Sequence, residues 1–443
     1  MRSIQDISGQ KAGKILEFLL LLWFLTLPFG AKTGSFSLGF ITVYPNFIIG
    51  VVIFPMALLS FARWPRWAKI YFAFLGLWVV FALIQPVILK TGFNENWKFD
   101  FKSLAMQLLF AGVLLGSFYT LRKERFYHLI KLGILYFLTI LIASAIVEFY
   151  TGTHLRGHFT DKYFAEQIIT NLFYTPLFVY DNSNDYLVYL ILITLTYLAL
   201  GYRDARDDWK AIALLLFGFI FAIIASSRLV IMVLIGLFIL VGVKRAIVYV
   251  CSKGRIDYIA VACGLILFGV LFAINPLFIG PKYTTTNFTS DGVRTALPKS
   301  VPYDGLSSNE IREALLLNSI DFIKESPLVG IGAGQFRERH ALGKVQHDAG
   351  TVHGPHNYPM EIITQYGLIG WFYFLFLAFF AVQLWRQFRK GRVNMWMVLL
   401  LPVLAACSLV PSGFLYLDIH WLLIPVVLVF SLSAEPSKQE VHE

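Results

Sequence analysis

Three residues carry side chains suited to chemistry on an anionic ligand: Arg228, Arg312 and His356. Arg228 follows the apolar run ALLLFGFIFAIIASS and precedes another, LVIMVLIGLFILVG. A guanidinium between two such runs must meet water, an acid or an anionic ligand; the competing reading is a side chain that snorkels to the membrane surface. Arg312 falls in the first turn of a predicted amphipathic helix. His356-Asn357 stands directly before the helical segment YPMEIITQYGLIGW, where a neutral imidazole can serve as a general base. A helix-capping or surface histidine is the plainer alternative.

Other residues join these candidates. Arg156, flanked by His154 and His158, is a phosphate contact or a solvated loop charge. The run YDNSNDY supplies Asp181, Asn182, Asn184 and Asp185, either as sugar-hydroxyl contacts or as ordinary helix N-caps. The segment PLVGIGAGQF carries Gly330, Gly332 and Gly334, but no Lys-Ser/Thr follows and no strand precedes it. A nucleotide-binding loop therefore fails its context, and the glycines predict a tight, sterically close turn. His347, His353 and His356 lack an HExxH pattern and a completing carboxylate, so no metal site and no cofactor is expected.

The elements that must position these residues are membrane helices. Of the 443 residues, 57% are hydrophobic and only 14% charged, which places the chain among polytopic membrane proteins. The net charge of +10 is scattered over short loops, so it reads as an orientation signal and not as a nucleic-acid footprint. Cys251, Cys263 and Cys407 show no CxxC spacing. Apolar stretches at 15–30, 38–61, 68–89, 101–121, 127–150, 184–202, 209–226, 229–249, 257–279, 366–385, 394–412 and 416–433 are long enough, or nearly so, to cross a bilayer of roughly 30 Å. The expected fold is all-α: about twelve transmembrane helices with one long external loop. The chain divides into helices one to nine (1–279), the loop (280–365), and helices ten to twelve with the tail (366–443). With the N-terminus cytoplasmic, 22 Lys/Arg lie in cytoplasmic segments and 7 in short external ones, so both termini are inside.

Within the long loop, 280–306 is expected to be irregular. Ser307 and Glu310 then form a capping box. Ile311, Leu315, Asn318 and Phe322, with Ala314 and Leu317 beside them, make one face of a helix that ends near Ser326-Pro327. This helix is expected to lie over the mouth of the bundle or along the membrane interface.

The ordered set of features resembles a known family. A Ser-Arg heads a late span; Arg312 precedes an apolar helix; ESPLVGIGAGQF follows, then HN, then E…YGLIGW leading into the next span. These motifs cover about 310–373, with weaker support at 181–186 and 226–236, and are similar to those of the O-antigen ligase/polymerase family of bacterial surface-polysaccharide enzymes. The resemblance implies a metal-independent glycosyltransferase of the bacterial inner membrane, acting on its periplasmic side. The donor would be a glycan on undecaprenyl diphosphate, and the acceptor a lipid A-core sugar (a ligase) or a second lipid-linked glycan (a polymerase). Arg228 and Arg312 would hold the diphosphate and His356 would activate the acceptor, with Arg156, Asp181, Asn184, Asp185 and Asn357 as accessory contacts. A polysaccharide or lipid transporter is the alternative from another class. It would bury charges in mid-span, whereas here they gather at the loop side.

The charge bias makes a topological prediction. A reporter fused near Lys299 is expected outside the cytoplasm and one near Lys390 inside it; the reverse pattern would overturn the assignment of sides.

Overall fold

In a computed structural model the described residues are 4–32, 36–38, 41–151, 178, 183–201, 208–224, 227–251, 285–288, 294–297, 308–350, 354–409, 415 and 417–432. The helices are α1 (Ile4–Thr26), α2 (Pro45–Leu58), α3 (Arg66–Ile88), α4 (Glu95–Thr120), α5 (Lys123–Thr151), α6 (Ser183–Gly201), α7 (Asp208–Ile224) and α8 (Arg228–Cys251). They continue with α9 (Ser308–Glu325), α10 (Gln335–Ala341), α11 (Tyr358–Tyr366), α12 (Leu368–Arg389), α13 (Met395–Cys407) and α14 (Asp418–Leu432). A helix coincides with each predicted span except 257–279, which lies outside the described residues. Five of these helices are long and apolar enough to cross a membrane: α3, α4, α5, α12 and, within α6, Asn184–Gly201. The chain is a polytopic membrane protein in composition and in helix length.

Two short hairpins accompany the helices of this predominantly helical fold. Strands β1 (Phe36–Leu38) and β2 (Ile41–Val43) pair antiparallel, so the stretch 38–61 is not one continuous helix. Pro45 opens α2, where its missing N–H leaves no helical bond unmade. Strands β3 (Thr285–Phe288) and β4 (Arg294–Leu297) also pair antiparallel, inside the segment expected to be irregular. Its β-branched threonines favour strand, and Asp291-Gly292 in the intervening sequence is a hairpin signal.

The chain forms two compact units, 1–140 with 306–443, and 141–305. In the first, α4 is the central element and packs against α2, α3 and α14. Its apolar residues are buried nearly all round, from Leu104 to Phe118. Gly116 lets α2 approach closely, since a Cβ there would sit 2.4 Å from that of Ala57. The Ser60 hydroxyl then donates to the Gly116 carbonyl across the contact at 3.0 Å. Small residues at such crossings are the means by which membrane helices pack. In the second unit, α7 packs between α6 and α8. Glu148 is fully buried there and accepts from the backbone N–H of Phe178 at 3.0 Å.

The loop module 308–366 belongs to the first unit. Helix α9 buries Ala314, Leu315, Asn318 and Phe322, and Ile311 packs partly against the same cluster. Leu317, expected on that face, is exposed with Leu316 and Ile320. Its position is 200° from Leu315 on the helical wheel, so the partner's footprint misses it. The helix ends at Glu325, next to the predicted Ser326-Pro327 stop.

The glycine loop that follows is the tight turn expected. Gly330 and Gly334 have φ of +76° and +71°. A Cβ on Gly330 would lie 2.3 Å from the Gln365 carbonyl oxygen, and one on Gly334 2.3 Å from the Asn96 carbonyl carbon. Gly334→Ala therefore combines backbone strain of about 1–3 kcal/mol with a steric clash. We expect it to lower the melting temperature of the detergent-solubilised protein clearly. Gly236→Ala, in open space within α8, should leave it unchanged or raise it slightly. Equal effects would show that the loop is not locked.

Candidate functional site

The loop after α9 is held by side chains from α3 and α4. Gln85, fully buried near the end of α3, donates through Nε2 to the carbonyls of Val329 (2.8 Å) and Gln365 (2.7 Å). Its Oε1 accepts from the N–H of Ala333 at 3.0 Å. Asp100 of α4 accepts from the N–H of Gly334 at 2.7 Å and from the Tyr366 hydroxyl at 3.4 Å. Asn96 donates to Glu338 of α10 at 2.8 Å. Between the loop and α11, the N–H groups of Ile331 and Gly332 donate to the carbonyls of Thr364 and Gln365 at 3.0 and 3.2 Å. The last turn of α11 is thus pinned to the loop, and the loop to the bundle.

The other end of α11 carries His356. Asn357 is its N-cap, accepting from the Met360 N–H at 3.2 Å through Oδ1. The helix begins at Tyr358, where the sequence placed it. His356 has φ of +49°, a left-handed conformation that few non-glycine residues adopt. Such a residue is retained only when its surroundings over-determine it. Its side chain is half-buried.

A buried acid lies one turn further on. Glu361 is 2% exposed. Burial pushes its carboxyl up to about 8, the nearby charge of Asp100 adds to the rise, and the Arg337 guanidinium and a bond from the Leu415 backbone oppose it. By contrast Glu325, at the end of α9, is held below its ordinary value by a bidentate pair with Arg339, at 2.5 and 2.9 Å. The Arg339 guanidinium also lies 4.9 Å from the Phe322 ring centroid. This pair fixes α10 against α9. The Asn318 amide, donating to the His347 carbonyl at 2.7 Å and accepting from its N–H at 3.0 Å, fixes the chain beyond α10.

The candidates fall in different places. Arg312, exposed in the second turn of α9, shares the first unit with His356 and Asn357. Arg228 is the first residue of α8 in the second unit, where Ser227 accepts from the Ile231 N–H at 3.0 Å; its side chain is outside what is described. Asn184 and buried Asp185 open α6, also in the second unit. Arg156, Asp181 and His353 lie outside the described residues. Arg228 and Arg312 therefore each stand near the N-terminal end of a helix, and His356 just before one. Helix N-termini present free N–H groups and partial positive charge, a setting that favours anions.

Residues 211–375 match the family model described as O-antigen ligase. That match supports the O-antigen ligase/polymerase family for this chain. No curated protein matches it. The matched stretch includes Arg228, Arg312, His356 and Asn357, and leaves out Arg156, Asp181, Asn184 and Asp185. The O-antigen ligase family implies ligase- or polymerase-type activity in a membrane protein.

Gln85, Asp100 and Arg337 were not singled out in the sequence, and Glu361 entered only as the acid of the E…YGLIGW motif. The available signal was a polar residue inside or beside an apolar run, as Gln85 is in FALIQPVIL. Glu361 gives a pH prediction. Its native value lies above its ordinary 4.5, so its contribution to stability is complete below that value and is lost as pH rises through about 8. Between about pH 5 and 9 the melting temperature of Glu361→Gln should gain on wild type. A difference that is constant with pH would mean that the carboxyl is not held neutral.

Proposed function

We propose that the chain is an O-antigen ligase: an inverting, metal-independent glycosyltransferase that moves glycan from undecaprenyl diphosphate to a sugar of lipid A-core, on the periplasmic side of the inner membrane. The observation that carries this reading is His356, held at φ +49° beside the capped start of α11, whose far end is stapled to the bundle. A general base must be fixed within hydrogen-bond reach of the hydroxyl it serves. The family match supports ligase- or polymerase-type activity.

In this mechanism the His356 imidazole takes the proton of the acceptor hydroxyl. The oxygen attacks the anomeric carbon from the face opposite the diphosphate, which leaves with the bonding pair. Arg228 and Arg312 stabilise the charge growing on the diphosphate, with Arg156 as a third contact. Guanidiniums suit that role because they bind phosphate bidentately and keep their proton; each such bond contributes about 1.5–3 kcal/mol. Asp181, Asn184 and Asp185 contact sugar hydroxyls. Asn357 uses Oδ1 to cap α11, so its amide N–H is the group left for the acceptor.

In a transfer assay with purified protein, His356→Ala should lose about 10²–10⁴-fold in rate while still binding donor. Arg228→Lys and Arg312→Lys should bind donor poorly, because an ammonium lacks the bidentate fork. Loss of donor binding in His356→Ala would make it a phosphate ligand instead. In cells, deletion should leave lipid A-core bare; core bearing a single repeat unit would identify a polymerase.

A further inference from the structure

Three ionisable groups from three helices of the first unit meet at α11. Glu361 of α11 and Asp100 of α4 are 2% and 0% exposed, and half-buried Arg337 of α10 is the cation that acts on Glu361. Asp100 accepts from the Gly334 N–H at 2.7 Å and from the Tyr366 hydroxyl at 3.4 Å. Glu361 accepts a bond from the backbone of Leu415, a buried residue between α13 and α14. The other ionisable side chains around α11 are engaged elsewhere. On α9, Arg312 and Glu313 face solvent and Asp321 pairs with Lys324 and His347, so α9 meets α11 through the Ser319 carbonyl, which accepts from the Thr364 hydroxyl at 3.4 Å. On α10, Glu338 bonds to Asn96, Arg339 pairs with Glu325, and His340 stacks on Phe336. From α12 and α14, Tyr373 and His420 face Tyr358, one turn before Glu361. Among the described residues, the charges that act on Glu361 are those of Arg337 and Asp100.

These charges do not balance if both acids ionise. One guanidinium matches one carboxylate, and a second negative charge in the same buried space would stand unpaired, which is strongly destabilising. Asp100 is met by two donors, a backbone amide and a hydroxyl, whereas Glu361 is met by one backbone group. The negative charge therefore belongs on Asp100 and the proton on Glu361. Burial works in the same direction, pushing the Glu361 carboxyl up to about 8. This acid stands on the nine-residue helix that His356 immediately precedes but for its cap, Asn357. His356 keeps its φ of +49° only while its surroundings hold it there, so a shift of α11 reaches it directly.

We infer that Glu361 is a positioning residue: as the neutral acid it seats α11, and through α11 His356, against the bundle, and its ionisation loosens that seat. The inference rests on the transferase reading above and adds a proton-linked control of its base. The sign follows from which form the fold favours. The seat is complete at low pH, and it weakens as pH rises through about 8, when the Glu361 proton passes to solvent and leaves two buried carboxylates to one guanidinium.

The test follows backbone hydrogen exchange of the full chain in detergent, with each rate corrected for the intrinsic pH dependence of amide exchange. Protection of the α11 peptide in wild type should fall about tenfold between about pH 7 and 9. In Glu361→Gln, whose amide has nearly the same size and stays neutral, protection should hold across that interval. A transfer assay over the same interval gives the second readout: kcat of wild type should fall in proportion with KM for donor unchanged, and kcat of Glu361→Gln should stay level. Wild-type protection that does not change with pH would overturn the inference, and that arm needs no variant to fold. So would a Glu361→Gln protein that loses protection as wild type does, or kcat values that fall alike in both. Exchange as expected in a protein without transferase activity would sink the transferase reading and keep the proton-linked seat. Transferase activity with level exchange would do the opposite.

Discussion

One amide side chain organises the first unit. Gln85 is buried in an apolar helix, where an unmet amide would cost about 1–3 kcal/mol or more. It is met by three backbone groups of other segments: the carbonyls of Val329 and Gln365 and the N–H of Ala333. The need runs both ways, because the glycine loop brings its own peptide groups against the bundle and has no helix or sheet to satisfy them. Asp100 does the same for Gly334. The close backbone approach that these bonds require explains why the loop is built of glycine where a Cβ would meet Gln365 or Asn96.

From that anchor the rest of the site follows. Gln85 holds the last turn of α11, so the axis of α11 is set, and with it the place of Asn357 and His356 at its start. The Tyr358 N–H extends the same constraint to the end of α13, and Tyr358 and Tyr373 carry it into α12. Glu361 lies between these contacts, its carboxyl raised by burial and close to Arg337 and Asp100. Arg312, by contrast, remains exposed near the start of its helix.

Much was legible in the sequence because the responsible forces act over short range. Apolar runs long enough to span a bilayer must be helical, since no other arrangement of one segment satisfies its own backbone there. The period of Leu315, Asn318 and Phe322 placed the buried face of α9, and Ser326-Pro327 marked its end. The glycines announced a close turn, and the HN pair announced the start of α11. Where the sequence misled, the partner decided. Leu317 has the right type for the buried face but falls outside the area that its neighbours cover. The pairing of Thr285–Phe288 with Arg294–Leu297 rests on bonds between strands, not on apolar periodicity.

The residue types and their order along the chain determined the membrane class, the apolar helices and the candidate arginines and histidine. Those properties depend on hydropathy, local propensity and functional-group chemistry, which each residue carries by itself. Only the tertiary structure decided that Gln85 and Asp100 hold the glycine loop, that burial raises the Glu361 carboxyl, and that an apolar cleft ends beside the start of α11. Each of these depends on which distant segments come into contact. A hydrogen bond spanning 280 positions, such as that from Gln85 to Gln365, leaves no periodicity in the sequence for a local reading to find.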